Sequence, residues 1–331
     1  MHRLEDSVED RNKNGLYQYY SAVQQKQVDW LWYPYIPYGK ITLLQGDPGE
    51  GKSTFIVQIA ALLTKGENMP DGYITPKAET AVYQCAEDGI EDTIKPRLLD
   101  AGADCEKVAY IIEGENGLIL NDLRIDKAIA ETKARLLILD PIQAFMEQDG
   151  DMHSATKMRS ILKKLSETAE KHRCAVVLVG HLNKTSGGKS LYRGLGSIDI
   201  AAQARSILMI ARDKNDSTMR YMFPIKSSLA PEGDAIQFGF DKEKGFLWKG
   251  KCEINISDYV ADGSIMGNKR EIVKKNLLIC LDENDMASNS IFELMDEQGI
   301  SRRTVQEAKK EMNIEAYRKE GAWYWHLNKE G

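Results

Sequence analysis

Cysteine is scarce and unpatterned: Cys85, Cys105, Cys174, Cys252 and Cys280 are scattered along 331 residues with no C-x-x-C pair. That excludes a zinc ribbon or a disulfide framework and points to a reducing, cytoplasmic setting. The five histidines show no ligand spacing either. No apolar run approaches the roughly 20 residues of a membrane span, so no membrane partner is expected. Met1–Gly15 is polar and charged, unlike a secretory signal. There is no excess of positive charge: 44 basic against 50 acidic residues leave −6, so any binding of nucleic acid must be local. Internal repeats and low-complexity tracts are absent. What remains, 42% hydrophobic and 28% charged, is an ordinary globular composition long enough for two domains.

Against these absences stands one strong motif. Gly46-Asp47-Pro48-Gly49-Glu50-Gly51-Lys52-Ser53 fits G-x-x-x-x-G-K-[ST]. An apolar, β-branched segment, Ile41–Gln45, precedes it, and a helix-patterned run from Thr54 to Leu63 follows. Strand, glycine loop and helix N-terminus make an anion site, because loop amides converge and the helix dipole adds partial positive charge. Lys52 would reach the β- and γ-phosphates and the Ser53 hydroxyl would meet Mg²⁺. Residues Gly46 through Thr54 are therefore the expected nucleotide-binding set, with ATP and Mg²⁺ as cofactors.

Strands and helices alternate from Gly39 to about Gly250, the pattern of a mostly parallel sheet flanked by helices. Strands are expected at Ile41–Gln45, Thr80–Cys85, Val108–Ile112, Arg135–Asp140 and Ala175–Gly180. Helices are expected at Lys52–Lys65, Ile90–Ala101, Leu123–Thr132 and Ala155–His172. Three closely spaced strand-like runs, Ser206–Arg212, Arg220–Lys226 and Ala235–Asp241, predict an antiparallel extension. Residues 1–28 read as a tail, 29–250 as the main domain, 251–268 as a linker and 269–331 as a small separate domain. The aromatic run Trp30–Tyr38 reads as packing against the domain edge, with base stacking the alternative.

Hydrolysis needs more than a cradle. Leu136-Leu137-Ile138-Leu139-Asp140 is an apolar strand ending in a carboxylate, placed to hold the Mg²⁺ hydration shell. Pro141 follows directly, so no base can stand there. The preceding strand ends in Ala86-Glu87-Asp88, which makes Glu87 the expected general base and Asp88 the fallback. His181, at the end of Ala175–Gly180, is placed to report the γ-phosphate. The run Asn183–Ser197 carries Lys184, Lys189, Tyr192 and Arg193, several glycines and no acid, which suits a single-stranded backbone.

In the last segment, helix patterns at Ile291–Gln298 and Ser301–Met312 precede two short strands around Gly321, the order of a winged helix. Arg302 and Arg303 would lie on its outer face. Glu307, Glu311 and Glu315 dilute that face, so duplex DNA and protein docking both stay open.

Together these parts resemble the RecA-like ATPase fold, and within it the plasmid RepA-type hexameric helicases related to DnaB-like replicative helicases. The resemblance rests on Tyr38-Gly39-Lys40-Ile41-Thr42, Ala86-Glu87-Asp88 with Pro96-Arg97-Leu98, Leu139-Asp140-Pro141, Gly180-His181-Leu182-Asn183-Lys184, Arg193–Asp199 and Arg205–Leu208, over about residues 29–250. It implies an α/β RecA-like P-loop core that self-associates, as a hexamer or another RecA-like assembly, with single-stranded DNA in a channel. It also implies a basic group acting across the subunit interface. The family's K-x-R pattern falls on Lys226-Ser227-Ser228, so Lys226 matches and the arginine position holds Ser228. Arg205 and Arg212 are further candidates. A helicase is the expected activity; a non-motor ATP switch or loader is the alternative.

Overall fold

The computed structural model describes residues 17–114, 117–146, 155–181, 198–254 and 259, then 273–274, 276–278, 280–281, 285–297, 302–319 and 322–327. A short hairpin, β1 (Trp30–Trp32) and β2 (Ile36–Pro37), leads into β3 (Ile41–Gly46). Every residue of β3 is buried, as a strand covered on both faces must be. The chain continues through α1 (Lys52–Lys65), β4 (Ala81–Cys85), α2 (Lys95–Asp100), β5 (Val108–Ala109), α3 (Leu123–Thr132) and β6 (Leu136–Asp140). Then come α4 (Ala155–His172), β7 (Ala175–His181), α5 (Ile198–Gln203), β8 (Ser206–Arg212), β9 (Met219–Ser227), β10 (Ala235–Asp241) and β11 (Gly245–Cys252).

These strands form one sheet in the order β11-β10-β9-β8-β3-β7-β6-β4-β5, parallel from β8 to β5 and antiparallel from β8 to β11. Alternate residues feed opposite faces. Leu44, Tyr83, Ile138, Val177 and Leu208 face a layer holding α1 and α2, with Phe55, Ile56, Ile59 and Leu98 packed on them. Ile41, Leu43, Val82, Leu137, Leu139 and Val176 face the layer holding α3, α4 and α5. Each fully buried large side chain of α1 contributes about 1.5–3 kcal/mol. The helix, and with it the loop at its N-terminus, is thereby fixed to the sheet.

Three elements differ from the sequence expectation. β5 stops at Ala109 because the Ile111 amide donates instead to the Gln84 side chain at 2.9 Å. The helix expected at Ile90–Ala101 opens as a π turn, Ile90–Ile94, with Ile94 N donating to Gly89 O at 3.0 Å. Pro96 lacks the amide that a regular α ladder needs there. β11 was not anticipated: its lysines and glycines hide a strand that pairs with β10 through a register shift. The aromatic run packs as expected, with Leu31, Trp32, Tyr35 and Ile36 buried.

Beyond β11, Tyr259 packs on the sheet. Its ring packs on Tyr221 and Phe223 at 5.2 and 5.3 Å, and its hydroxyl donates to Asp213 Oδ2 at 2.9 Å. Tyr221 donates to the same oxygen at 2.8 Å.

The C-terminal residues have their own core, in which Val273, Leu277, Ile291, Met295, Val305, Ala308 and Trp325 are buried together. Helical positions within 273–281 are followed by β12 (Met286–Ala287), α6 (Ser288–Glu297), α7 (Arg302–Glu311), β13 (Glu315–Lys319) and β14 (Ala322–His326). The three strands form an antiparallel sheet in the order β12-β14-β13. Among the described residues no helix is long and apolar enough to cross a membrane.

Candidate nucleotide site

The phosphate loop runs from the last residue of β3 to the first turn of α1. Gly49 and Gly51 have φ of +79° and +88°, a region that only glycine enters without strain. Gly46 is required for space instead, since a Cβ there would lie 2.5 Å from the Ile210 carbonyl oxygen. No side chain caps α1, whose N-cap is Gly51. Its first-turn amides therefore remain for an anion, reinforced by the helix dipole.

Lys52 is 4% exposed, and its ammonium sits inside the loop, donating to the carbonyls of Gly46 at 2.9 Å and Asp47 at 2.8 Å. Burial pulls the Lys52 pKa down, opposed by the charges of Asp140, Asp47, Glu50 and Glu87. Parallel pairing sets the partners. Gly46 is in register with His181 across β3 and β7, and Cys85 with Asp140 across β4 and β6. The loop, the β7 end and the β6 carboxylate thus share one sheet edge.

Asp140, also 4% exposed, hydrogen-bonds Ser53 and accepts from the Tyr83 hydroxyl at 3.2 Å. Burial pushes its carboxyl above the usual range, while Ser53, Tyr83 and Lys52 act the other way. One hydroxyl and one carboxylate are an oxygen donor set suited to Mg²⁺, which keeps waters and takes its other oxygens from phosphates. Among the described residues no group of three or more His, Cys, Asp and Glu forms an all-protein metal cage. The residues present therefore fit Mg²⁺ arriving with a triphosphate.

Glu87 follows β4, is exposed, and lies close enough to couple electrostatically with both Lys52 and Asp140. The fallback, Asp88, is held by Arg97 in a 2.5 Å ion pair. Thr54 continues the first turn of α1.

Other expected residues lie elsewhere. Lys226, on β9, pairs with Ile207 near the start of β8, at the sheet edge opposite the phosphate loop of its own chain. Its ammonium donates to the carbonyls of Ala201, Ala202 and Ala204 at 3.0, 3.4 and 2.8 Å, closing the C-terminal end of α5. Arg212 contacts its own loop, donating to Gly49 O at 3.1 Å. Arg302 lies over the Phe292 ring at 5.1 Å. Lys184, Lys189, Tyr192 and Arg193, and the side chains of His181 and Arg303, fall outside the described residues.

Two contributors escaped the sequence reading. Tyr83 reads as an ordinary apolar-strand tyrosine until the β4–β6 register is known. Phe240, which backs Gly51 at 3.2 Å from an added Cβ, comes from a strand nearly 190 positions away, with no local signal.

A central strand, a glycine loop with a buried lysine, a capless helix N-terminus and a strand-end carboxylate define a P-loop nucleotide-binding core of the RecA-like α/β type. The chain belongs to the AAA domain family, whose pattern matches residues 18–187. Curated relatives include the DNA repair protein RadA of Mycobacterium tuberculosis H37Rv, 25% identical over 149 residues. RadA of Streptococcus pyogenes serotype M3 is 30% identical over 149 residues. Each match covers 44% of this chain and only 28% of the relative's length. Among solved structures, a KaiC-like protein of Pyrococcus horikoshii OT3 aligns with a TM-score of 0.48 at 18% identity, covering 64% of this chain and 90% of that one.

Proposed function

We propose that this protein is an ATP- and Mg²⁺-dependent RecA-like motor acting on DNA, a replicative helicase of the RepA-like kind from a plasmid, phage or mobile element. The observation that carries the reading is the convergence of Lys52, Ser53, Asp140 and Glu87 at one sheet edge. Lys52 and the loop amides bind the β- and γ-phosphates. Ser53 and Asp140 would hold Mg²⁺, which neutralises charge developing on the transferred phosphoryl group. Glu87, beyond that shell, orients a water and takes its proton.

Coupling to DNA runs through the segment after β7. That strand ends level with Gly46; Lys184, Lys189, Tyr192 and Arg193 follow it in the sequence and are the candidate contacts to a single strand. The name of the curated relatives, DNA repair proteins, supports DNA as the partner. The C-terminal order of helix, strand, two helices and two strands supports a winged-helix-like module over 269–331. Arg302 and Arg303 are its candidate contacts to duplex DNA or protein. Lys226 is the candidate group acting across a subunit interface in a hexamer or related assembly.

The rival reading is a non-motor ATP switch or loader. It is favoured by Ser228 at the expected arginine position and by the engagement of Lys226 with α5. ATP turnover with and without single-stranded DNA, paired with a strand-separation assay, decides between them. DNA-stimulated turnover with unwinding is expected; unstimulated turnover without unwinding would establish the switch.

A further inference from the structure

Register pairs Tyr83 with Ile138 and Cys85 with Asp140 on adjacent parallel strands. Residues 83 and 140 therefore share the face turned toward α1, one diagonal apart. A diagonal of about 7–8 Å is within reach of a long aromatic side chain. The Tyr83 hydroxyl spans it, donating to Asp140 Oδ2 at 3.2 Å inside the protein. Tyr83 is 2% exposed, and its ring belongs to the apolar layer under α1 with Leu44, Phe55 and Ile138. Phenylalanine would serve that packing equally well. A buried hydroxyl instead requires a partner, and the partner here is the one strand-end carboxylate that also hydrogen-bonds Ser53.

We propose that Tyr83 is a positioning residue of the ATP site. By pinning one oxygen of Asp140 it fixes the rotation of the carboxylate that faces Mg²⁺ together with Ser53. The inference rests on the reading of Asp140 and Ser53 as the Mg²⁺-facing pair. Without the hydroxyl, Asp140 keeps its place on β6 but loses the contact that sets its angle.

The test is Tyr83→Phe in the full chain, with Mn²⁺ as the metal probe and a non-hydrolysable ATP analogue. Electron paramagnetic resonance of free Mn²⁺ reports metal affinity without turnover. The expected result is about a tenfold loss of Mn²⁺ affinity, the size of losing a hydrogen bond to a charged group. Analogue affinity in excess chelator should stay within about twofold, and the nucleotide-free thermal midpoint should fall by only a few degrees, the cost of one buried hydrogen bond. In an Asp140→Asn background the same substitution should cost no further metal affinity, since a shared role is non-additive. Mn²⁺ affinity equal to that of the wild type, or a full additional loss on top of Asp140→Asn, would overturn the proposal. Metal affinity unchanged by Asp140→Asn alone would instead overturn the Mg²⁺ reading on which it rests.

Discussion

Replacing Gly46 by alanine adds one methyl at the point where the phosphate loop leaves the sheet. The backbone of Gly46 is not left-handed, so conformational strain plays no part. Space decides. The added Cβ would stand 2.5 Å from the Ile210 carbonyl oxygen, about 0.8 Å inside an ordinary C···O contact of about 3.3 Å. The obstacle is backbone of β8, which is paired on both sides, so it cannot swing away as a side chain would. Relief must come from separating β3 and β8 or from displacing the loop. Overpacking of this kind costs about 1–3 kcal/mol, and a backbone obstacle belongs at the upper end. At about 2–4 °C per kcal/mol for a domain of this size, Gly46→Ala should lower the thermal midpoint by roughly 5–10 °C. It should also weaken ATP binding at least tenfold, because Lys52 donates to the Gly46 carbonyl. Gly49→Ala is the control: its Cβ would meet nothing within 4 Å, but φ is +79°. It should cost about 1–2 kcal/mol through backbone strain alone. Scanning calorimetry and a fluorescent-ATP titration measure both effects. If Gly46→Ala melts within a degree of wild type and binds ATP equally well, the steric reasoning is wrong.

Glu87→Gln should keep ATP affinity while phosphate release falls about 10²–10⁴-fold; near-normal turnover would move the base elsewhere. Phe238→Ala removes a fully buried ring packed on Phe55, Phe246 and Trp248 and should cost about 3–5 kcal/mol in urea unfolding. Asp213 is held down to a pKa of about 2 by the amides of Asn215 and Asp216 and the hydroxyls of Tyr221 and Tyr259. A depressed carboxylate stabilises the fold above its unfolded pKa of about 3.9 and loses that contribution as pH falls toward about 2. Asp213→Asn should therefore lower the urea midpoint at pH 7, with the gap to wild type narrowing below about pH 4. A gap independent of pH would contradict the assignment.

Much of the sheet could be read from the chain because β3, β6 and β7 are long apolar runs ended by chemistry-bearing residues. Helices α1, α3 and α4 begin and end where periodicity placed them. The losses came where tertiary partners replaced local ones. Gln84 took the Ile111 amide and cut β5 short, and Pro96 turned a regular helix start into a π turn. At the site, Lys52, Ser53 and Asp140 were legible because a motif and a strand-end carboxylate are local patterns. Tyr83 was not, since its role depends on which residue of β6 stands opposite Cys85. Arg212 and Lys226 show the same limit. Both were legible as basic residues on late strands, but only the register places one at the phosphate loop and the other at the far edge.

The clasp of Tyr259 on Asp213 ties residue 259 to the sheet beside the phosphate loop. Asp213 adjoins Arg212, whose guanidinium holds the phosphate loop at Gly49, so residue 259 is tethered where the loop itself is braced. One arginine and one aspartate, neighbours in sequence, thus link the phosphate loop to Tyr259 through two hydrogen bonds.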